Sequence, residues 1–300
     1  MSEKIFNNTS APLHEKAPLQ IEYGGSRIRN IDVENVRTPE KIDIGESEIV
    51  FMRNGGDNRE VDPSSSEFGA LKPEEIENIK KEIESFCDKL IESLPPEERE
   101  KIDFMVMSGA SNLIMPGGKS SKHSRTLDSA NEALKAIKTS LDKYGLSDGQ
   151  LLTPEPVKLK ELSELKMLED SSEFVDFLIE KYGTEKKFWI AYEVDLEKKK
   201  RLEMGVEGPK DIAGRVNDFL KIIKHNLEVC HKERPERRVV AFAYATYDTM
   251  SPWFKEHVVK VATPEEYYMP VKHRGGTIIK IDKSGDATTK INGEQYSLKI

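Results

Sequence analysis

Glu48-Ile49-Val50-Phe51-Met52-Arg53-Asn54-Gly55-Gly56-Asp57-Asn58 is the stretch on which the fold turns. A short apolar run stops at an arginine, a carboxamide and two glycines. A buried strand delivers side chains to the rim of a sheet in this way, and in open α/β folds ligands bind at that rim. On its own the stretch also suits a strand and a plain Gly-rich turn. The rest of the chain decides between them.

Working outward, Leu71-Lys72-Pro73-Glu74-Glu75 opens a helix, with proline and two acids in the first turn where the helix dipole favours them. Ile76, Ile79, Ile83, Phe86, Leu90 and Ile91 recur at helical spacing, and Pro95-Pro96 ends the run. Ile102 to Ser108 is a second buried strand. Gly109 to Ser121 is a Gly/Pro/Lys/Ser-rich loop. From Ser124-Arg125 another helix starts, with Leu127, Ala130, Leu134 and Ile137 as its buried stripe. Gln150 to Thr153 is expected as a short strand, residues 159–183 as helix, and Glu197 to Arg201 as solvated surface. Pro209 begins a long helix that ends near His231. Val239 to Tyr244 is the most apolar run in the chain and leads into a helix after Thr246.

Strands alternating with helices imply an α/β fold, a three-layer sandwich on a mostly parallel sheet. Short alternating runs at 277–282, 288–291 and 296–300, separated by Ser-Gly-Asp and Asn-Gly turns, imply an antiparallel C-terminal β meander. The division expected is an N-terminal extension over 1–45, an α/β domain over 46–262, and a C-terminal β extension over 263–300. Within the extension, Ile21-Tyr23 and Ile28-Val33 alternate enough for short strands.

Composition limits the partners. Of 300 residues, 46 are Lys or Arg and 54 are Asp or Glu, a net charge of −8, which disfavours a broad face for nucleic acid or anionic lipid. No apolar run approaches the ~18–20 residues of a membrane span. The start lacks a secretory pattern, so a cytoplasmic location is expected. Cys87 and Cys230 lie far apart inside helices, as buried or neutral thiols. No metal spacing, dinucleotide fingerprint, complete Walker-type loop or nucleophile elbow is present, so neither metal nor cofactor is expected.

In order along the chain, the motifs resemble the histidine phosphatase superfamily (phosphoglycerate-mutase-like) over roughly residues 46–262. Arg53-Asn54-Gly55 stands where the family has Arg-His-Gly. Gly69 to Pro73 matches a Gly-x-Leu-Thr-Pro helix start. Ser108 ends a strand, and Arg125 to Ala130 matches Arg-x-x-x-(Ser/Thr)-Ala. Gly205 to Val216, with Glu207, Asp211 and Arg215, matches Gly-x-Glu-Ser-x-x-Asp-x-x-x-Arg-Val. Ala245 to Thr249 stands where Thr-His-Gly-Asp-Thr is common.

The resemblance implies a phosphate clamp made by Arg53 and Arg125, because guanidinium forks match phosphate oxygens. It places Asn54 at the nucleophile position, Thr246 at the second histidine position, and Glu155 as the acid, with Asp248 competing for that role. A carboxamide nitrogen is delocalised into its carbonyl and is no phosphoryl acceptor, although it can donate a hydrogen bond. Removing an essential nucleophile costs about 10⁶-fold in a protease triad. The implied reading is a catalytically impaired pseudophosphatase that binds a small phosphorylated or anionic ligand. Two alternatives remain: an active phosphomonoesterase whose nucleophile was substituted or lies elsewhere, and a non-enzymatic protein that presents its surface to an unnamed protein partner. Of the histidines, His123 alone lies beside a motif; His273 reads as part of the tail.

Overall fold

The computed structural model describes residues 19–23, 26–30, 32–33, 39, 41–58, 61–62, 64–109, 123–162, 172–183, 186–261 and 267–300. The loop expected at 109–121 therefore falls, after Gly109, outside the described residues.

The decisive stretch is a strand that runs one residue further at its C-terminal end than the apolar run alone suggests. After the hairpin β1 (Leu19–Tyr23) and β2 (Ser26–Asn30), β3 spans Ser47–Arg53. Helix α1 (Pro73–Ser93), β4 (Ile102–Gly109) and α2 (Arg125–Lys143) follow, then β5 (Val157–Leu159). Next come α3 (Ser172–Tyr182), α4 (Lys186–Glu193), α5 (Lys198–Glu203) and α6 (Pro209–Glu233). Strand β6 (Arg238–Ala245), α7 (Tyr247–Trp253), β7 (Tyr267–Tyr268), β8 (Gly276–Ile281), β9 (Ala287–Ile291) and β10 (Glu294–Leu298) complete the chain.

The main sheet is mixed, in the order β10-β9-β8-β3-β6-β4-β5. Strands β3, β6, β4 and β5 are parallel, and β8, β9 and β10 continue the sheet antiparallel from the edge of β3. The C-terminal meander is thus the sheet's own antiparallel flank. A smaller sheet joins β1 and β2 to β7.

Parallel strands covered on both faces carry apolar side chains at successive positions, because alternate residues enter opposite cores. In β3, Val50 and Met52 pack with α1 and α2, while Ile49 and Phe51 enter the other core beneath α6 and α7. Strand β6 is buried at every position. Phe51 meets Trp253 edge-on at 5.6 Å in one core, and Phe86 meets Phe242 edge-on at 5.4 Å in the other. Burying one such side chain contributes roughly 1.5–3 kcal/mol.

Three expectations are corrected. Gln150 to Thr153 is not a strand: a 3-10 turn covers Asp148–Gln150, closed by a capping box. Ser147 Oγ accepts from the Gly149 N–H at 3.2 Å, and Gln150 Oε1 accepts from the Ser147 N–H at 2.7 Å. Within the expected strand the Gln150 and Leu151 N–H groups donate to the Ser147 and Asp148 carbonyls at 3.1 and 3.0 Å, which takes them out of sheet pairing and leaves a single bridge from Leu151 to Phe104. The helix expected over 159–183 begins instead as the strand β5 and a 3-10 turn at Lys160–Leu162, and only Ser172–Tyr182 is α-helical among its described residues. Within Glu197 to Arg201, Lys198 to Lys200 are exposed as expected, but Arg201 is not. Arg201 is 5% exposed, forked onto Asp195 at 2.7 and 2.9 Å, with a further bond to the Val206 carbonyl at 2.8 Å. A guanidinium with a bidentate partner can be buried where a run of charges reads as exposed.

Candidate anion site at the strand ends

Parallel pairing sets the register of the rim. Arg53 lies opposite Ala245, and Ser108 lies opposite Tyr244, so β3, β6 and β4 end at one level. The Asn54 N–H continues the ladder to the Ala245 carbonyl at 3.0 Å. On the other side of β3, the Arg53 N–H donates to the Gly275 carbonyl at 2.7 Å. This bond pins the turn before β8 over the rim. That turn carries His273 and Arg274, the latter in the left-handed region at φ 60°. Close approach requires glycine at 276, since a Cβ there would sit 2.0 Å from the Phe51 carbonyl oxygen.

Arg53 is half-buried. Its guanidinium donates to the Val271 carbonyl at 2.5 Å, approaches His273 Nε2 at 3.5 Å, and lies 5.1 Å from the centre of the Tyr247 ring. Its Nε is buried without a hydrogen-bond partner among the described residues. Burial and the neighbouring charge of Arg125 ease deprotonation and bring its pKa down to about 10. Arg125 opens α2, is 9% exposed, and reaches Asp57 Oδ2 from Nε at 3.4 Å. Asp57 sits in the turn that follows β3 and bridges to Leu71. The charge of Arg125 therefore reaches Arg53 from a different element, partly offset by Asp57 beside Arg125 and by Asp248, whose charge also reaches Arg53.

Asn54 is 1% exposed. Its Nδ2 donates to the Gly55 carbonyl at 2.7 Å, and its Oδ1 is buried without a partner among the described residues. One of the two carboxamide N–H donors is thus engaged locally. The Gly55 N–H donates to Ser129 Oγ at 3.1 Å, which ties the turn to α2. Gly55 is closely surrounded: a Cβ there would stand 3.1 Å from the tip of Ile79 and 3.2 Å from Glu75 Oε2, so those side chains would have to give by a few tenths of an ångström. Thr246 is 2% exposed, and its Oγ1 lies 2.9 Å from Thr249 Oγ1 at the start of α7.

Glu155 does not join this group. It is exposed in the turn before β5, and because Val157 pairs with Met107 the strand register places Glu155 below the rim. Asp248, whose charge reaches Arg53, is 7% exposed, and its buried Oδ2 has no partner among the described residues. Ser108 Oγ and the Tyr244 hydroxyl, near the ends of β4 and β6, are likewise buried without a partner among the described residues.

His123, the histidine beside a motif, contacts the Ser66 carbonyl at 2.9 Å and Asp128 at 3.4 Å, away from Arg53. The histidine that reaches the arginine is His273. Its Nδ1 is 3.3 Å from the Asn54 carbonyl oxygen, and its ring packs near Gly56. Burial, Arg53 and Arg125 depress its pKa from 6.5 to about 4. The signals for His273 were faint: a basic trio, Lys272-His273-Arg274, followed by two glycines and a strand. Asp57 was legible only as the polar end of the opening stretch.

The Glu207–Arg215 part of the pattern is structural in this fold. Arg215 forks onto Glu207 at 3.0 and 3.1 Å and donates to the Lys160 and Glu161 carbonyls at 3.2 and 2.7 Å. Glu207 precedes α6, so these bonds tie the start of that helix to the segment after β5.

Among known proteins, no family model and no curated protein matches the chain. Among solved structures it is similar to a phosphoglycerate mutase from Bacillus anthracis str. Sterne, at 12% identity and a TM-score of 0.43. The match covers 86% of this chain and 94% of that one. Among the described residues, no group of His, Cys, Asp and Glu is arranged to hold a metal ion, and no helix is long and apolar enough to cross a membrane.

Proposed function

We propose that the rim of β3 and β6 is a binding site for a small phosphate ester or related oxyanion, and that the protein holds this ligand without forming a phosphohistidine at position 54 or 246. The observation that carries the reading is the placement of two arginines at the strand-end rim: Arg53 ends β3 with a buried Nε that has no partner among the described residues, and Arg125 opens α2 at 9% exposure, its charge reaching Arg53. Two like charges in a desolvated site are costly, and an oxyanion between them relieves that cost with charge-assisted hydrogen bonds. The motif resemblance supports the same assignment, since both arginines occupy its clamp positions.

Chemistry at this site is limited by what its side chains lack. Asn54 offers a buried carbonyl oxygen rather than an imidazole nitrogen, and Thr246 is a hydroxyl paired with another hydroxyl. Neither supplies an in-line nitrogen nucleophile. The test is a phosphorus NMR titration of phenyl phosphate with wild type, Arg53→Ala and Arg125→Ala. Saturable binding by wild type that both substitutions weaken at least tenfold supports the site, and equal behaviour of all three proteins overturns it.

A further inference from the structure

His273 lies within reach of the clamp, yet neither the sequence pattern nor the reading above gives it a role. Its setting defines a tautomer. Nδ1 faces the Asn54 carbonyl oxygen at 3.3 Å, so Nδ1 carries the proton and donates. Nε2 then keeps its lone pair and faces the Arg53 guanidinium at 3.5 Å. In the resting site Nε2 can only accept from Arg53.

The formal charges are informative. Arg53 on β3 and Arg125 on α2 face Asp57 in the turn after β3 and Asp248 on α7, two cations against two carboxylates. Tyr247 and Tyr268, which also neighbour Arg53, hold their protons firmly because both are buried. On the turn of His273 itself, Arg274 is paired with Glu75 at 3.2 Å and Glu82 at 3.1 Å from α1. With a neutral imidazole the clamp's two positive charges, partly offset by these carboxylates, under-compensate a dianion.

We infer that His273 is the third ligand of the anion site, and that it takes up one proton from solvent when a dianionic phosphate monoester binds, so that Nε2–H and the Arg53 guanidinium both donate to the bound oxygens. The inference rests on the anion-site reading and adds the ligand's charge class to it. In the free protein burial first, and then the charges of Arg53 and Arg125, hold the ring's pKa near 4; a bound dianion offsets the arginines' share and adds an attraction of its own for the protonated ring. Protonation also converts Nε2 from an acceptor facing a donor into a second donor facing an acceptor.

The experiment is isothermal titration of phenyl phosphate at pH 7 and pH 8, in buffers of different ionisation enthalpy. At these values a phosphate monoester, with a second pKa of roughly 6, is mainly a dianion. Wild type is expected to take up a measurable fraction of a proton per ligand, larger at pH 7 than at pH 8, and its affinity to rise correspondingly as pH falls. His273→Gln should still bind, more weakly, with uptake near zero and a flat affinity across the same range. Uptake near zero in wild type overturns the role of His273 while leaving the site standing, and this result can be read even if the variant fails to fold. Equal uptake in wild type and a folded His273→Gln also overturns it. Absence of binding by wild type overturns both readings, and Arg53→Ala identifies any binding elsewhere on the surface.

Discussion

Replacing Lys255 by methionine should be among the most damaging single changes in the protein. Lys255 lies in the turn of π-helix that continues α7 and is 1% exposed. Its ammonium donates to the Glu193 carbonyl at 2.8 Å and to the Tyr267 carbonyl at 3.2 Å, and pairs with Glu193 Oε1 at 3.4 Å. The same Glu193 oxygen accepts from Ser251 Oγ at 2.5 Å and from the Met269 N–H at 3.1 Å. This knot fixes residues 267–269, from which the chain proceeds to Val271 and His273 over Arg53. Removing one partner of a buried pair strands the other charge, at a cost of ~3–5 kcal/mol. Against a typical stability of about 5–15 kcal/mol that is a third or more. Urea unfolding followed by circular dichroism should show a large fall in midpoint with an unchanged slope. Lys255→Met combined with Glu193→Gln should recover part of the loss, because the stranded charge is gone. A loss below about 1 kcal/mol in the single variant, or a double variant less stable than the single, would refute the reasoning.

Other predictions follow from individual contacts. Gly276→Ala forces a methyl to within 2.0 Å of the Phe51 carbonyl, so β8 must shift from β3 at a cost of about 1–3 kcal/mol, read as a lower thermal midpoint. Asp57→Asn removes a carboxylate that competes for Arg125, and should raise phosphate affinity about fivefold, the equivalent of ~1 kcal/mol, measured by titration. Without ligand, the depressed pKa of His273 makes stability complete above pH 6.5 and erodes it as pH falls towards 4, since only the unfolded chain takes the proton readily. Denaturation midpoints of His273→Gln should lack that part of the acid slope, and an identical slope in both proteins would contradict the assignment.

The parallel core was legible because its signals are local and repeated. Ile79, Ile83, Phe86, Leu90 and Ile91 mark one helical face, and β6 is a continuous apolar run. The positions of the two arginines in the fold were legible because each lies at an element boundary that composition marks clearly: a Gly-Gly turn after Arg53, and the start of a helix at Arg125. His273 was not, because it reaches the site through backbone pairing with a strand more than 200 positions earlier in the chain. No local pattern encodes that pairing. Burial of Arg201 was missed for a related reason: its charge is hidden by a fork onto Asp195 and by the space left at Gly208, where a Cβ would fall 2.4 Å from the guanidinium carbon. The strand expected at Gln150 lost to a 3-10 turn whose competing bonds are individually small.

The central claim is that the site binds a phosphate monoester and does not turn it over. Its most direct test is one cuvette of wild-type protein with an aryl phosphate, followed for bound ligand by protein fluorescence and for released phenol by absorbance. Saturable binding without release above the Arg53→Ala background is the predicted result. Release of phenol by wild type, abolished in Arg53→Ala, would contradict it.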